Sequence, residues 1–192
     1  MKIFFSKYDK QIAAFWSLLT FIFLILLIAH KPFMEWSFNR HHHQFSWYIR
    51  PLFLIPFCYF AYKQSLTGIS ITIFLLFTSM FWFPKPEIIS EQVKNFLQFE
   101  KDWLTSSWNI KKIAFSLLVP FSLTALAFAF WIKSLWIGLS VIVLIAIGKI
   151  CWSVYNAGES GKSILIPALI GLFICCVLII YGFKKMEKRK KR

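Results

Sequence analysis

Six long apolar stretches, joined by short polar segments, occupy most of this chain. A bilayer core is crossed by a helix of about 20 apolar residues, with a tolerated range of about 17–25. The apolar stretches reach that length at roughly 11–29, 46–62, 66–83, 113–132, 135–155 and 164–181. The pattern therefore predicts an all-α integral membrane bundle of about six transmembrane helices, which forms a single polytopic domain over 1–192.

The segment between the third and fourth stretches predicts a further, amphipathic helix over about 87–104. Pro84 and Pro86 end the preceding helix and suit the start of a new one. Apolar residues then recur at helical spacing on one face, at Ile89, Val93, Phe96, Leu97, Trp103 and Leu104. We expect this helix to lie at the membrane surface, either as a cap over the bundle or as a gate.

The composition argues against a soluble domain, and the charge of the tail predicts a contact with lipid. Of the 192 residues, 58% are hydrophobic, whereas soluble domains have about 45–50% apolar residues. The net charge is +14, and seven Lys or Arg residues lie in the tail 184–192. Because this tail adjoins a predicted membrane helix, the sequence predicts contact with anionic lipids rather than with nucleic acid.

The placement of charge also predicts an orientation. Six crossings put both termini on one side, and both termini carry basic residues close to a helix. Basic segments favour the cytoplasmic side of a membrane. We therefore expect both termini in the cytoplasm and the helices in the plasma or inner membrane of a cell. The turns at 63–65 and 133–134 are short enough to make two antiparallel helix pairs. The outer segments 30–45, 84–112 and 156–163 are longer, so we expect any recognition or chemistry on that side.

Two basic residues inside predicted spans are candidates for binding an anionic ligand. Arg50 lies just before the first of two prolines that are expected to kink the second span. Lys149 lies about six residues before the end of the fifth span, and no Asp or Glu lies within any predicted span to pair with it. Either side chain could instead extend to the headgroups. Arg40 and Glu159, the nearest outer acid after Lys149, complete the candidate ligand set.

Three consecutive histidines precede the second span. Imidazole binds Zn, Cu, Ni or Fe, and a carboxylate can add an oxygen ligand, which makes His41, His43 and Glu35 candidate metal ligands. Adjacent histidines point in different directions, so a solvated basic loop is the alternative. A third interpretation is a pH-sensitive gate, because imidazole titrates near neutral pH. We expect no other cofactor.

The segment Asn156–Ser163 resembles the phosphate loop of heterotrimeric G-protein α subunits at seven of eight positions. That loop requires glycine at its first position, where this chain has Asn156, and it follows a strand rather than a membrane helix. The segment therefore predicts no nucleotide site. A Gly-rich turn before the last span explains it.

No motif in the chain is diagnostic of catalysis, and the lack of paired acids or a Cys–His pair favours a protein that is not an enzyme. The leading hypothesis is a small multi-pass membrane protein of the transport or channel type. Its site would lie between the second and fifth spans and bind an anionic or polar-headgroup ligand. One alternative is a non-catalytic membrane subunit or scaffold, with a protein partner or a second copy of the chain. Another is a lipid-modifying enzyme that uses the histidine-rich outer loop.

Overall fold

The computed structural model describes residues 7–190, except for the side chains of 187, 189 and 190. The secondary structure of this range is helical, without a strand, so the predicted all-α class is confirmed. The helices are α1 Asp9–Ala29, α2 Lys31–His41, α3 Phe45–Leu52, α4 Leu54–Tyr62, α5 Leu66–Thr78, α6 Glu91–Thr105, α7 Ile110–Trp131, α8 Leu135–Gly161 and α9 Leu165–Lys190. Short 3₁₀ turns extend α5 to Phe81 and join α8 to α9.

Three helical stretches in the described range are long and apolar enough to cross a membrane: Asp9–Ala29, Ile110–Trp131 and Leu135–Met186. The third stretch contains both α8 and α9, which pack against each other. The helical geometry breaks at Gly158, near the end of α8, where the φ of 56° lies in the region that favours glycine. Leu66–Phe81 is a shorter apolar helix. Many large apolar side chains of α1 and α7 are exposed, which supports a membrane protein.

The predicted second span is broken into α3 and α4 at Phe53, between its two prolines. Proline lacks the backbone N–H that a helix needs, so a kink between Pro51 and Pro56 was expected. The thiol of Cys175, on α9, donates to the backbone carbonyl of Pro51 with an Sγ–O distance of 3.0 Å. Gly171, one turn earlier on α9, lets the Pro51 ring approach the helix backbone. The break brings α3 onto α9 and α4 onto α5 and α7.

Two tight turns of the same kind close the helix pairs α4–α5 and α7–α8. Gln64 and Lys133 adopt positive φ angles of 56° and 62°. The N–H of the following serine bonds back to the carbonyl five residues earlier, which is a Schellman C-cap. Ser65 and Ser134 then cap the next helix through their hydroxyl oxygens. Both short turns therefore form the helix pairs that the sequence predicted.

Asp9, at the start of α1, holds α1 beside α5. Its carboxylate accepts hydrogen bonds from the N–H groups of Leu66 and Thr67, at 2.9 and 3.0 Å, and from the Ser65 hydroxyl, at 3.2 Å. The first N–H groups of a helix have no partner within the helix, and a carboxylate also complements the helix dipole there. Because both helices begin at this contact and pack along each other, α1 and α5 run parallel.

The outer segment 30–45, predicted as a loop, contains helix α2. His30 caps this helix, because its Nδ1 accepts the N–H of Phe33 at 3.2 Å. A proline in the first turn suits a helix start, where its missing N–H is not needed. The polar composition of the segment concealed a buried helical face that contains Met34, Phe38 and His41.

Helix α6 begins at Glu91 rather than at 87, because the Ser90 hydroxyl caps it by accepting from the N–H of Val93. Its apolar face is buried, since Val93, Phe96 and Leu97 are at most 2% exposed. The helix packs against α2 and α8. This packing agrees with the interpretation of α6 as a cap over one end of the bundle.

Two apolar clusters lie at opposite ends of the bundle. One surrounds the tight turns and joins α4, α7, α8 and α9 around Phe57 and Phe130. The other lies under α6 and joins it to α1, α2 and α3 around Trp47 and Phe96. The second cluster therefore fixes α6 on the end of the bundle that carries the longer connecting segments.

We expect Gly171→Ala to destabilise the protein. The added Cβ would lie 2.5 Å from the Pro51 ring, so α3 and α9 would have to separate. Overpacking of this kind costs about 1–3 kcal/mol, and we expect a lower melting temperature (Tm) for the detergent-purified chain. Gly148→Ala is the matched control, because no atom lies within 4 Å of its added Cβ. Equal Tm values for the two variants would contradict the close approach of α3 to α9.

Candidate functional site

Lys149 of α8 lies in a polar cluster beneath α6. Its Nζ is 2.6 Å from Oε1 of Glu100. The same nitrogen faces the rings of Phe96 and Trp152, at 5.5 and 4.9 Å from their centroids. Both Glu100 and Phe96 belong to α6. One ion pair and two cation–π contacts therefore compensate a charge that is costly inside a membrane.

Lys149 lies farther from the end of its helix than the sequence predicted. Helix α8 remains regular up to Gly158, nine residues beyond Lys149. At the helical rise of about 1.5 Å per residue, this separation is about 14 Å. The Lys149 side chain is still 47% exposed, whereas its partner Glu100 is 20% exposed. The ion pair is therefore buried mainly on the Glu100 side, and Lys149 keeps an exposed face.

Arg50 of α3 belongs to the same cluster. Its Nη1 lies 3.2 Å from Nε2 of His41, at the end of α2. The Glu100 carboxylate also acts electrostatically on the Arg50 guanidinium, and the Lys149 charge acts on His41. The structure thus brings together Arg50 and Lys149, which the sequence singled out, with His41 and Glu100.

The hydrogen bonds of His41 determine its tautomer. A guanidinium only donates, so Nε2 of His41 accepts from Arg50. The hydrogen of the ring is then on Nδ1, which donates to Oγ of Ser46 at 3.1 Å. An imidazole that donates to Ser46 cannot take the proton of that hydroxyl, so the two residues are not arranged as a base and its nucleophile. The Trp47 indole donates to the His41 carbonyl at 3.1 Å, which holds His41 in place as an acceptor for Arg50.

His41 remains neutral at physiological pH. Burial lowers the pKa of His41 well below its usual value of 6.5, and the positive charge of Arg50 adds to the effect. The charges of Lys149 and His42 act in the same direction. A neutral ring is the form that can accept the hydrogen bond from Arg50.

The other two candidate ligand residues lie outside this cluster. Arg40 donates from Nε to the carbonyl of Phe81 at 2.6 Å and lies over the Trp36 ring. It therefore joins α2 to the end of the α5 extension. Glu159 pairs with Lys162, three residues away, at 2.6 Å. Lys149 thus has Glu100 as its partner instead of Glu159, the nearest acid along the sequence.

The candidate metal ligands are not brought together. His41 is bonded to Arg50 and Ser46, and Glu35 pairs with Lys101 at 2.6 Å. His43 stacks on Phe83, with the ring centroids 5.1 Å apart, and its Nδ1 is buried without a hydrogen-bond partner. In the described part of the chain, no group of three or more His, Cys, Asp or Glu side chains is placed to hold a metal ion.

Sequence reasoning missed Glu100. This residue follows Phe96 by four positions and Leu97 by three, so it lies next to the apolar face of α6. That offset was the available signal, because an acid at the border of a buried helical face points toward the neighbouring helix. Its partner lies 49 positions away in the chain, so no local pattern could identify Lys149.

A cavity of about 390 Å³ opens between the start of α6 and the segment that joins α2 to α3. Its lining includes the polar side chains of His43, Tyr48 and Ser90. Tyr48 precedes Arg50 by two residues on α3, and Val93 of α6 also lines the cavity. Helices α3 and α6 contribute to both the cavity and the charged cluster, but the cavity lining includes none of Arg50, Lys149, Glu100 and His41.

Comparison with protein-family models, with curated proteins and with solved structures finds no match for this chain. A candidate function therefore rests on the geometry of the charged cluster.

The stability of the protein should depend on the protonation of His41. In the unfolded chain the His41 ring takes up a proton near pH 6.5, whereas in the folded protein the buried ring stays neutral at that pH. The stability that folded His41 contributes is therefore present above pH 6.5 and is lost as the pH falls below that value. We expect the Tm of the detergent-purified protein to fall between pH 7 and pH 5. The limiting slope for one group is about 1.4 kcal/mol per pH unit.

His41→Gln should reduce this acid sensitivity, because it removes the ring while keeping an acceptor for Arg50. His30→Asn is the control, since it removes an imidazole outside this cluster while keeping a capping acceptor for the N–H of Phe33. The same loss of Tm at low pH in His41→Gln as in the parent chain would contradict this role.

Proposed function

We propose that this chain is a small multi-pass membrane protein of the transport or channel type, which binds an anionic or polar-headgroup ligand at Arg50 and Lys149. Six helical segments cross a plasma or inner membrane, both termini lie in the cytoplasm, and the basic tail contacts anionic lipids. The membrane-compatible stretches Asp9–Ala29, Ile110–Trp131 and Leu135–Met186 support this arrangement. In this proposal the broken helix α3–α4 and the shorter apolar helix Leu66–Phe81 make the other crossings.

The observation that carries this proposal is an excess of positive charge in the cluster. Arg50 and Lys149 come from different helices, and Glu100 is the one described carboxylate that pairs with Lys149 and acts on Arg50. His41 adds no negative charge, because it is neutral. Two cations and one carboxylate leave one positive charge uncompensated. Such a site, partly shielded from water, attracts a carboxylate or a phosphate strongly.

Glu100 occupies the place that a ligand would take. A carboxylate on the ligand competes with Glu100 for Lys149, and the displaced Glu100 no longer holds α6 on α8. The next residue, Lys101, pairs with Glu35 of α2 and keeps the other side of α6 attached. In this proposal, helix α6 acts as a gate that opens on the α8 side when the ligand displaces Glu100.

Anion binding to the purified protein tests the proposal. We use inorganic phosphate and glycerol 3-phosphate as probes and measure the rise in Tm with concentration. Glu100→Gln should bind the probes more tightly, because it removes the internal competitor. Lys149→Gln should weaken binding by about tenfold or more, since a hydrogen bond to a charged group contributes about 1.5–3 kcal/mol.

The control variant is Glu91→Gln, which removes an exposed acid of α6 that is 3.9 Å from Lys94 and outside the cluster. In proteoliposomes, Glu100→Gln should also pass labelled phosphate faster than the parent chain. The proposal is wrong if neither anion raises Tm, or if Lys149→Gln binds them as tightly as the parent chain.

A further inference from the structure

An apolar groove of about 350 Å³ lies at the end of the bundle opposite to α6. Helices α4, α7 and α9 form its walls, with Pro56, Tyr59, Phe130, Ile179, Gly182 and Met186 among the lining residues. Its floor is closed by the buried side chains of Cys58 and Phe183. The residues that line the groove are therefore almost all apolar.

Gly182 lines this groove, and the space beside it is open. No atom lies within 4 Å of the position that its Cβ would occupy, so helix packing does not require a glycine here. A leucine at this position would occupy that open space at the groove wall. In a bilayer such a groove is filled by an acyl chain, because hydrocarbon is the surrounding solvent.

Positive charge lies beside the same groove. The Nζ of Lys63 is 5.8 Å from the ring centroid of Tyr59, which lines the groove. Lys185 follows Gly182 by three residues on α9, and its Nζ lies 5.7 Å from the centroid of Tyr181. Both lysines are at the end of the bundle where α4 stops and where the basic part of α9 begins. An anionic headgroup at that point would have two cations within reach.

We propose that this groove is a binding site for one anionic phospholipid, with an acyl chain between α4 and α9 and the phosphate at Lys63 and Lys185. The apolar walls select a lipid, and the lysines select its anionic headgroup. This site shares no residue with the Arg50–Lys149 cluster, but it rests on the proposed membrane crossings of α4 and α9 and deepens the proposed lipid contact of the basic tail, to which Lys185 belongs. Its test measures lipid retention, which can fail while anion binding at the cluster succeeds.

Native mass spectrometry of the detergent-purified full chain tests this site. Phosphatidylglycerol and phosphatidylcholine with identical acyl chains are the probes. We expect one phosphatidylglycerol to be retained in preference to phosphatidylcholine. Gly182→Leu, which fills the groove, should reduce retention of phosphatidylglycerol several-fold. Lys63→Gln with Lys185→Gln should reduce the preference for phosphatidylglycerol by about tenfold or more, because each lysine contributes to headgroup attraction.

Two controls match these variants. Gly148→Leu also places a leucine where no atom lies within 4 Å of the glycine, but on α8. Lys85→Gln with Lys94→Gln removes the same number of charges from the opposite end of the bundle. Both controls should retain phosphatidylglycerol like the parent chain, and glycerol 3-phosphate, which lacks acyl chains, should not displace it.

Three results would overturn the proposal. The first is equal retention of the two lipids by the parent chain. The second is the same retention by Gly182→Leu and Gly148→Leu, which would show that lipid binds only around the bundle as a whole. The third is displacement of the lipid by glycerol 3-phosphate, which would assign the site to the free anion.

Discussion

The ion pair between Glu100 and Lys149 is the contact on which the arrangement of the end of the bundle under α6 depends. A lysine within an apolar helix is costly unless a partner compensates its charge, and Glu100 supplies that partner at 2.6 Å. Because Glu100 belongs to α6, compensation of the charge and closure of α6 over the bundle occur together. The burial of Val93 and Phe96 adds an apolar contribution, which places the acid against α8.

The attachment of α6 is divided between two neighbours. Glu100 pairs with α8, and the next residue, Lys101, pairs with Glu35 of α2. Two adjacent residues of opposite charge thus connect α6 to two different helices. The contact with α2 is therefore separate from the contact with α8. Arg50, held by neutral His41, keeps a second cation near the carboxylate throughout.

Local sequence signals predicted most of the helices, whereas the partners within the site come from distant parts of the chain. Apolar periodicity, the two prolines of the second span and the short turns each act over a few residues, and they predicted the all-α class, a kink in the second span and the two helix pairs. Arg50 and Lys149 stood out because charge in an apolar run is costly whatever its partner. Glu100 did not, because an acid at the border of an amphipathic face is ordinary and its partner lies 49 positions away in the chain. The polar composition of α2 likewise concealed the helix that supplies His41.

The central claim is that Glu100 and Lys149 interact directly and hold α6 on the bundle. A charge-reversal cycle measures this interaction, with Tm and chemical unfolding of Glu100→Lys, Lys149→Glu and the double variant compared with the parent chain. We predict that each single reversal is destabilising and that the double variant recovers stability, with a coupling energy of about 1 kcal/mol or more. A double variant whose loss of stability equals the sum of the two single losses would contradict the account.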